Sequence, residues 1–131
     1  MSEKKKILII DDDKFLVHMY AMKFETSGFV VDSSLSGFEA IEKIKSGFIP
    51  DIILLDLIMP GMDGFAFLET IKKENLCKGS VIVMLTNQGL ASDIVKAEEY
   101  GIHGYIVKAT TIPSEVVEEI KKIYKKINPE K

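Results

Sequence analysis

Five short, largely apolar runs recur along the chain and predict five β-strands. They are Ile7–Ile10, Phe29–Val31, Ile52–Leu55, Val81–Leu85 and Gly104–Val107. The first, third and fourth runs are apolar at every position, which is typical of strands buried on both faces of a parallel sheet. We therefore expect a sheet whose central strands are covered by other elements on both sides.

Between these runs, apolar residues recur at spacings of three and four, which predicts helices. The inward positions of the five expected helices are Leu16, Tyr20 and Phe24; Ala40, Ile41 and Ile44; Phe65, Leu68 and Ile71; a segment from about 91 to 100; and Val116, Val117, Ile120, Ile123 and Ile127. Gly28, Gly47 and Gly101 suit helix C-termini, and Pro113 suits the first turn of the last helix.

Strands that alternate with helices predict an α/β protein with a parallel sheet and helices on both faces. Right-handed crossovers leave few topologies. The doubly wound, flavodoxin-like (βα)5 arrangement has strand order 2-1-3-4-5, and it would place strands 1 and 3 side by side at the point where the winding reverses. The sequence shows no repeat or linker, so we expect a single domain over residues 1–131.

Polar residues stand where four of the five expected strands end. Asp11 and Asp12 follow the first strand, Asp56 the third, Thr86 the fourth and Lys108 the fifth. Because parallel strands end at the same edge of a sheet, these side chains should line one crevice. Each position taken alone has a simpler explanation, such as a solvated strand end, but five fitting positions at four strand ends favour a functional site.

The chemistry of these side chains suits a phosphoryl group. Three carboxylates in one pocket repel one another, and a hard divalent cation relieves that repulsion. Oxygen ligands alone are what Mg²⁺ prefers. A lysine and a hydroxyl add a positive charge and a hydrogen-bond donor for oxygens on which charge is spread. Asp13 is interpreted differently, as a helix-start residue, because carboxylates favour helix N-termini.

Composition and charge exclude several classes of protein. The formal net charge is −3, and all 17 basic residues are lysine, so direct nucleic-acid binding is not expected of a chain without arginine. The apolar runs are far shorter than the roughly 20 residues of a membrane span. Cys77 is the only cysteine, which rules out an internal disulfide and favours a reducing, cytoplasmic compartment.

Taken together, these motifs resemble the receiver domain of two-component response regulators, the CheY-like family. The resemblance covers about residues 5 to 127 and rests on Ile7–Asp12, Asp56–Gly64, Thr86 and Gly104–Lys108. It implies that Asp56 accepts a phosphoryl group from a histidine kinase or phosphotransfer protein. It also implies that Asp11, Asp12, Asp56 and the Ile58 backbone carbonyl hold Mg²⁺, and that Thr86 and Lys108 hold the phosphoryl oxygens.

Three positions depart from the family pattern. Ala109 stands where the family usually has a proline after the lysine, Asn87 replaces a small residue after the threonine, and Ile112-Pro113 opens the last helix without a capping side chain. The lysine–proline bond of the family is typically cis. Although a cis bond before alanine costs roughly 3 kcal/mol, we expect the Lys108–Ala109 bond to be cis, sustained by its surroundings.

The family resemblance further implies a conformational switch and a path by which water removes the phosphoryl group from Asp56. Thr86 should move toward the phosphoryl oxygens, and Tyr105 should move from an outward to an inward position, changing the binding of a downstream protein target. Water that hydrolyses the aspartyl phosphate should pass the side chains of Ile58 and Gln88. Because Ile58 is apolar and branched, and Gln88 is neutral, we expect slow loss of phosphate.

Two other functions remain open at this point. A haloacid-dehalogenase-type phosphatase would use Asp11 as nucleophile and Asp13 as acid, but no acidic pair for Mg²⁺ follows Lys108. A pseudo-receiver would keep the fold as a binding module and never carry phosphate. His18 and His103 fit none of these sites and are expected at the surface.

Overall fold

The computed structural model describes residues 4–87 and 91–129. Strands and helices alternate from one end to the other. The elements are β1 (Lys6–Ile10), α1 (Lys14–Thr26), β2 (Val30–Ser34), α2 (Gly37–Lys45), β3 (Ile52–Asp56), α3 (Gly64–Lys73), β4 (Val81–Thr86), α4 (Ala91–Glu99), β5 (Gly104–Val107) and α5 (Pro113–Ile127), with a 3₁₀ turn at Lys108–Thr110 between the last two.

All four strand pairings are parallel, and the strand order is β2-β1-β3-β4-β5. The predicted α/β fold and its strand order are therefore confirmed. β1 and β3 lie side by side, with Ile10 opposite Leu55. Both strands end at the same edge of the sheet, at the point where the winding of the crossovers reverses.

The core has two layers because neighbouring residues of a strand point to opposite faces of the sheet. In β1, Ile7 and Ile9 face one layer, and Leu8 and Ile10 face the other. The first layer is completed by α1 and α5 and includes Tyr20, Phe24, Val116, Val117 and Ile120. The second is completed by α2 and α3 and includes Ala40, Ile44, Phe67, Leu68 and Ile71.

Two details of the predicted pattern were wrong. β2 continues through Ser34, three residues beyond the apolar run, because Asp32 to Ser34 pair with β1 although their side chains are polar. Ile127 is 45% exposed rather than buried. The apolar layer beneath α5 ends at Ile123 and Tyr124, so the last turn of this helix has no core to face.

Side chains close three of the helix starts. The Asp13, Ser36 and Asp63 side chains each accept a hydrogen bond from the backbone N–H three residues later. This confirms the interpretation of Asp13 as a helix-start residue. At α5 the expected lack of a capping side chain is also confirmed, although the Glu115 carboxylate accepts a hydrogen bond from the Ile112 N–H at 3.0 Å.

Side chains contact the backbone of the edge strand β2 at Ser33. The Lys43 ammonium lies 2.7 Å from the Asp32 carboxylate and also donates a hydrogen bond to the Ser33 carbonyl. The same carboxylate oxygen accepts a hydrogen bond from the Ser33 N–H at 2.8 Å. Both backbone groups of Ser33 are thus paired with side chains.

Candidate functional site

The carboxyl ends of β1 and β3 place two carboxylates next to each other inside the protein. Asp11 directly follows β1 and is fully buried, and Asp56 is the last residue of β3 and is 5% exposed. Asp12 lies beside them on the exposed rim. The Asp11 carboxylate also accepts a hydrogen bond from the Asp13 N–H at 2.9 Å, which fixes the turn from β1 into α1.

Lys108 reaches into this acidic pair from the end of β5. Its Nζ lies 2.7 Å from Asp11 Oδ2 and 3.1 Å from Asp56 Oδ1. The lysine side chain is only 10% exposed, so these contacts are largely shielded from water. A single ammonium therefore bridges the two buried carboxylates.

The expected cis bond after Lys108 was wrong, because no peptide bond among the described residues is cis. The trans bond avoids a cost of roughly 3 kcal/mol before a residue other than proline. The 3₁₀ turn at Lys108–Thr110 redirects the chain immediately after β5. Lys108 is aimed at both carboxylates from this trans backbone, so the aim does not require the proline.

Burial and charge act together on Asp56. Burial raises the pKa of this carboxyl, the neighbouring Asp11 charge raises it further, and Lys108 lowers it, with the result that the pKa stands at about 7. Burial also lowers the pKa of Lys108, but its hydrogen bond to Asp11 and the charge of Asp56 outweigh this and hold the pKa above its usual range. The site is therefore short of positive charge in the absence of a further cation.

The carboxylates of Asp11, Asp12 and Asp56 can share one metal ion. One oxygen from each lies within 4.8 Å of the others. All three donors are carboxylate oxygens, which suits a hard cation such as Mg²⁺. The raised pKa of Asp56 also supports a cation site here, because a bound cation would stabilise the ionised form of this carboxylate.

The loop after β3 is held tightly against the strand end. The Gly64 N–H donates to the Leu57 carbonyl at 2.7 Å, and a Cβ at Gly64 would lie 2.8 Å from the Asp56 carbonyl oxygen. Met59 is buried in the core, whereas the Ile58 side chain is 70% exposed. This packing explains the Pro/Gly-rich sequence, since glycine alone allows the backbones to approach so closely.

Thr86 and Tyr105 lie on the neighbouring strands β4 and β5, and Tyr105 pairs two residues before Thr86. Thr86 ends β4, is 5% exposed and stands opposite Val107. Tyr105 stands opposite Met84 and is 47% exposed, which places its ring in the outward position that was expected. Gln88, the second residue expected to shape the path of water, lies outside the described residues.

The two histidines lie outside the acidic cluster. His18 is exposed on α1. His103 precedes β5, and its Nδ1 accepts a hydrogen bond from the Ile82 N–H at 3.0 Å. Burial lowers the pKa of this imidazole. A neutral ring that accepts from the backbone has a structural role, which agrees with the expectation that neither histidine belongs to the site.

Two residues lie near the site although nothing in the sequence linked them to it, and one of them, Tyr20, was expected only as a core residue. Tyr20 fills the core beneath α1, and burial raises the pKa of its phenol, which lies within electrostatic reach of Lys108 and Asp11. Ser34 ends β2, its carbonyl accepts from the Asp11 N–H at 3.2 Å, and its hydroxyl is buried. The only available signal was the phenol oxygen of Tyr20 at a predicted core position; Ser34 lay beyond the predicted end of the second strand and gave none.

Comparison with known proteins agrees with this geometry. The family model described as "Response regulator receiver domain" matches residues 7–121. The chain belongs to the response regulator receiver domain family. The CheY-like fold of two-component systems, expected from the sequence, is confirmed.

Relatives of this receiver domain include longer regulatory proteins. The phosphate regulon transcriptional regulatory protein PhoB of Escherichia coli is 31% identical over 125 residues, which cover 95% of this chain and 54% of PhoB. The transcriptional regulatory protein ResD of Bacillus subtilis is 34% identical over 126 residues, which cover 95% of this chain and 50% of ResD. The chain thus spans about half the length of these curated relatives.

A solved receiver domain has the same fold over nearly the whole chain. The CheY-like response regulator receiver domain protein from Methanospirillum hungatei superposes with a TM-score of 0.86 at 27% identity, covering 98% of this chain and all of the other. No helix within the described ranges is long and apolar enough to cross a membrane.

The raised pKa of Asp56 predicts a pH-dependent stability for the metal-free receiver domain. The folded protein holds a proton on Asp56 up to about pH 7, whereas the unfolded chain loses it near 3.8. The unfolding free energy should therefore increase as pH falls from 8 to 5, by about 2 kcal/mol from this group. Asp56→Asn should lose this dependence in urea unfolding with EDTA present. An unchanged pH dependence in the variant would contradict the assignment.

Proposed function

We propose that this receiver domain accepts a phosphoryl group on Asp56 and thereby changes its binding to a protein target. The observation that carries the proposal is the buried Asp11–Lys108–Asp56 contact at the carboxyl edge of the sheet. A carboxylate oxygen of Asp56 would attack the phosphorus of a phosphohistidine. The phosphorus–nitrogen bond would break and the imidazole would leave with its electron pair.

Asp11, Asp12 and Asp56 are the side chains proposed to hold Mg²⁺, together with the Ile58 backbone carbonyl. When bound, the ion would neutralise charge that develops on the transferred group. Asp56 must be ionised to attack, and its pKa of about 7 means that a substantial fraction is protonated at neutral pH in the metal-free protein. Oxygen donors at the three carboxylates support a cation that would lower this pKa.

Lys108 and Thr86 are the side chains proposed to hold the phosphoryl oxygens. Lys108 already contacts Asp56, so its ammonium is within reach of any group attached to that carboxylate. Thr86 ends β4, next to the strand that Asp56 ends, and supplies a hydroxyl donor. Preorganised donors of this kind stabilise charge where it develops, without reorganisation at the moment of transfer.

The proposed partners are a sensor histidine kinase or a histidine phosphotransfer protein as donor, and a protein target for the output. PhoB and ResD are described as transcriptional regulatory proteins, but the chain matches only about half of each. Direct contact of this domain with nucleic acid is not part of the proposal. The domain would act as a phosphoacceptor switch that promotes only its own phosphorylation and dephosphorylation.

Intact-mass spectrometry after incubation with acetyl phosphate and Mg²⁺ tests this function. One phosphoryl addition per chain is expected, and peptide mapping after borohydride reduction should place it on the peptide that contains Asp56. Omission of Mg²⁺, with EDTA present, should suppress the addition. A chain that stays unmodified while folded would instead be a pseudo-receiver.

The phosphatase alternative gains no support from the site. It needs Asp13 as a free acid, but the Asp13 carboxylate accepts the Leu16 N–H at 3.1 Å at the start of α1. It also leaves Asp56 and its contact with Lys108 unexplained. Steady release of many equivalents of product from a generic phosphomonoester would favour the phosphatase, whereas a single phosphorylation event favours the receiver.

The switch is proposed to involve Thr86 and Tyr105. Movement of Thr86 toward the phosphoryl oxygens would vacate space beside β5, and the Tyr105 ring would turn inward from its half-exposed position. Amide hydrogen exchange with and without beryllofluoride, a phosphoryl mimic, should therefore change around residues 86–87 and 91–107. Unchanged exchange across these residues would count against the switch, provided that the mimic is bound.

The exposed Ile58 side chain is proposed to slow the loss of phosphate. It extends from the loop that follows Asp56 and offers water no hydrogen bond. Ile58→Asn should speed dephosphorylation several-fold in a single-turnover measurement with Mg²⁺. Ile49→Asn is the matched control, since Ile49 is 58% exposed and precedes β3 at the opposite end of the sheet. An unchanged or slower rate in Ile58→Asn would mean that another feature sets the lifetime.

A further inference from the structure

A groove of about 300 Å³ lies at the amino-terminal edge of the sheet, at the opposite end from Asp56. Its walls come from the segment before β1, the start of β2, the start of β3 and the second half of α5. The residues that line it are Lys5, Phe29, Ile52, Lys121, Tyr124 and Lys125. The five strands are parallel, so this edge lies opposite the carboxyl edge that carries the acidic site, and the two sites have no residue in common.

Every charged side chain that lines the groove is a lysine. Lys121 lies 3.6 Å from Glu118 in an exposed ion pair. Lys5 and Lys125 form no ion pair with any residue in the described ranges. The whole chain carries a net charge of −3, so this concentration of cations is local and does not reflect a generally basic protein. The three lysines would therefore attract a small anion to the groove.

The remaining lining is apolar and aromatic. Ile52 is 1% exposed, and Phe29 and Tyr124 are half-buried. The Phe29 ring packs edge-to-face on Phe24 with centroids 5.1 Å apart, which holds it in place. Lys5 Nζ lies 5.4 Å from the centre of the Tyr124 ring. Flat apolar surface beside cations suits a ligand that combines an aromatic ring with phosphate groups.

From this arrangement we infer that the groove binds a nucleoside polyphosphate. The lysines would contact the phosphates as point charges, which is a role that lysine fills well. The base would lie against the aromatic rings, since stacking tolerates any base. The volume of about 300 Å³ lies at the lower end of the range for small-molecule sites. This site is independent of the phosphoryl site, and either can exist without the other.

Titration of the ¹⁵N-labelled full chain with ATP, in EDTA and without Mg²⁺, tests the inference. Saturable amide shifts are expected at Lys5, Phe29 and Tyr124, with little change at Lys108. Sodium triphosphate should bind more weakly than ATP because it lacks the base, and adenosine should bind more weakly because it lacks the charge. Affinity should fall as salt is raised, because the lysines are solvent-accessible.

The Lys5→Gln/Lys125→Gln variant should raise the Kd for ATP by about tenfold. Lys72→Gln/Lys73→Gln is the matched control, since it removes two exposed lysines from the end of α3 and leaves the same net charge. Thermal melts of both variants check that they fold. Equal ATP affinity in the two variants, or shifts that do not saturate, would overturn the inference. Triphosphate that binds as tightly as ATP, or a single-stranded oligonucleotide that binds more tightly, would overturn the assignment to a nucleotide.

Discussion

Replacement of Asp56 by alanine should abolish the mass added by acetyl phosphate and Mg²⁺. Alanine has no oxygen to form the acyl phosphate, so labelling at this position should be absent and not merely slower. The fold should persist, because removing a buried carboxylate whose pKa is raised by burial also removes a cost to stability. Intact-mass spectrometry of the variant and the unaltered chain, side by side, measures the effect.

Asp63→Asn is the matched control for this loss. Asp63 lies in the same loop, and its carboxylate accepts the Ala66 N–H at 2.8 Å at the start of α3. Asparagine can keep this cap, so full labelling is expected. Full labelling of Asp56→Ala would show that another residue accepts the phosphoryl group. Fragmentation of the labelled peptide by tandem mass spectrometry would then distinguish Asp11 from Asp12.

Gly64→Ala should destabilise the domain by about 2–3 kcal/mol, which is the cost of forcing atoms into a tightly packed site. The added Cβ would lie 2.8 Å from the Asp56 carbonyl oxygen and 2.9 Å from Leu57 Cα. Both obstructing atoms are backbone, so no side-chain rotation relieves the clash. The loop must shift, and the end of β3 that carries Asp56 must shift with it.

Gly64→Ala should therefore lower the unfolding free energy measured in urea and change the rate of labelling by acetyl phosphate. The matched control is Gly79→Ala, because a Cβ at Gly79 meets no atom within 4 Å and its backbone is not in the left-handed region. The control should stay within about 0.5 kcal/mol of the unaltered chain and label at the same rate. A Gly64→Ala variant as stable as the control would show that the loop adapts without strain.

The sequence was sufficient for the fold because the central strands are apolar at every position. Ile7–Ile10 and Ile52–Leu55 have no exposed face, so only a doubly covered parallel sheet accommodates them. The length of β2 was underestimated because this strand lacks such a continuous apolar run. It is an edge strand with polar side chains at its end, and its pairing with β1 leaves no trace in the hydrophobic pattern.

The positions of the site residues followed from topology, but their energetics did not. Residues at strand ends had to meet at one edge of the sheet, which brought Asp11, Asp56 and Lys108 together. The sequence could not show that one ammonium contacts both carboxylates or that the pKa of Asp56 stands at about 7. These depend on side-chain distances and on burial. The trans bond at Ala109 was missed because the cis geometry typical of the family was expected to be kept without proline, sustained by its surroundings.

The Lys43 contacts on β2 bear on how this protein avoids self-association. An edge strand whose backbone groups are free can recruit a strand from a neighbouring molecule, and such additions propagate into aggregates. Here the Ser33 carbonyl is already bound by an ammonium and the Ser33 N–H by a carboxylate. An incoming strand would have to displace these contacts before it could pair with Ser33. We therefore expect Lys43 to oppose the addition of a strand at Ser33, independently of any signal at Asp56.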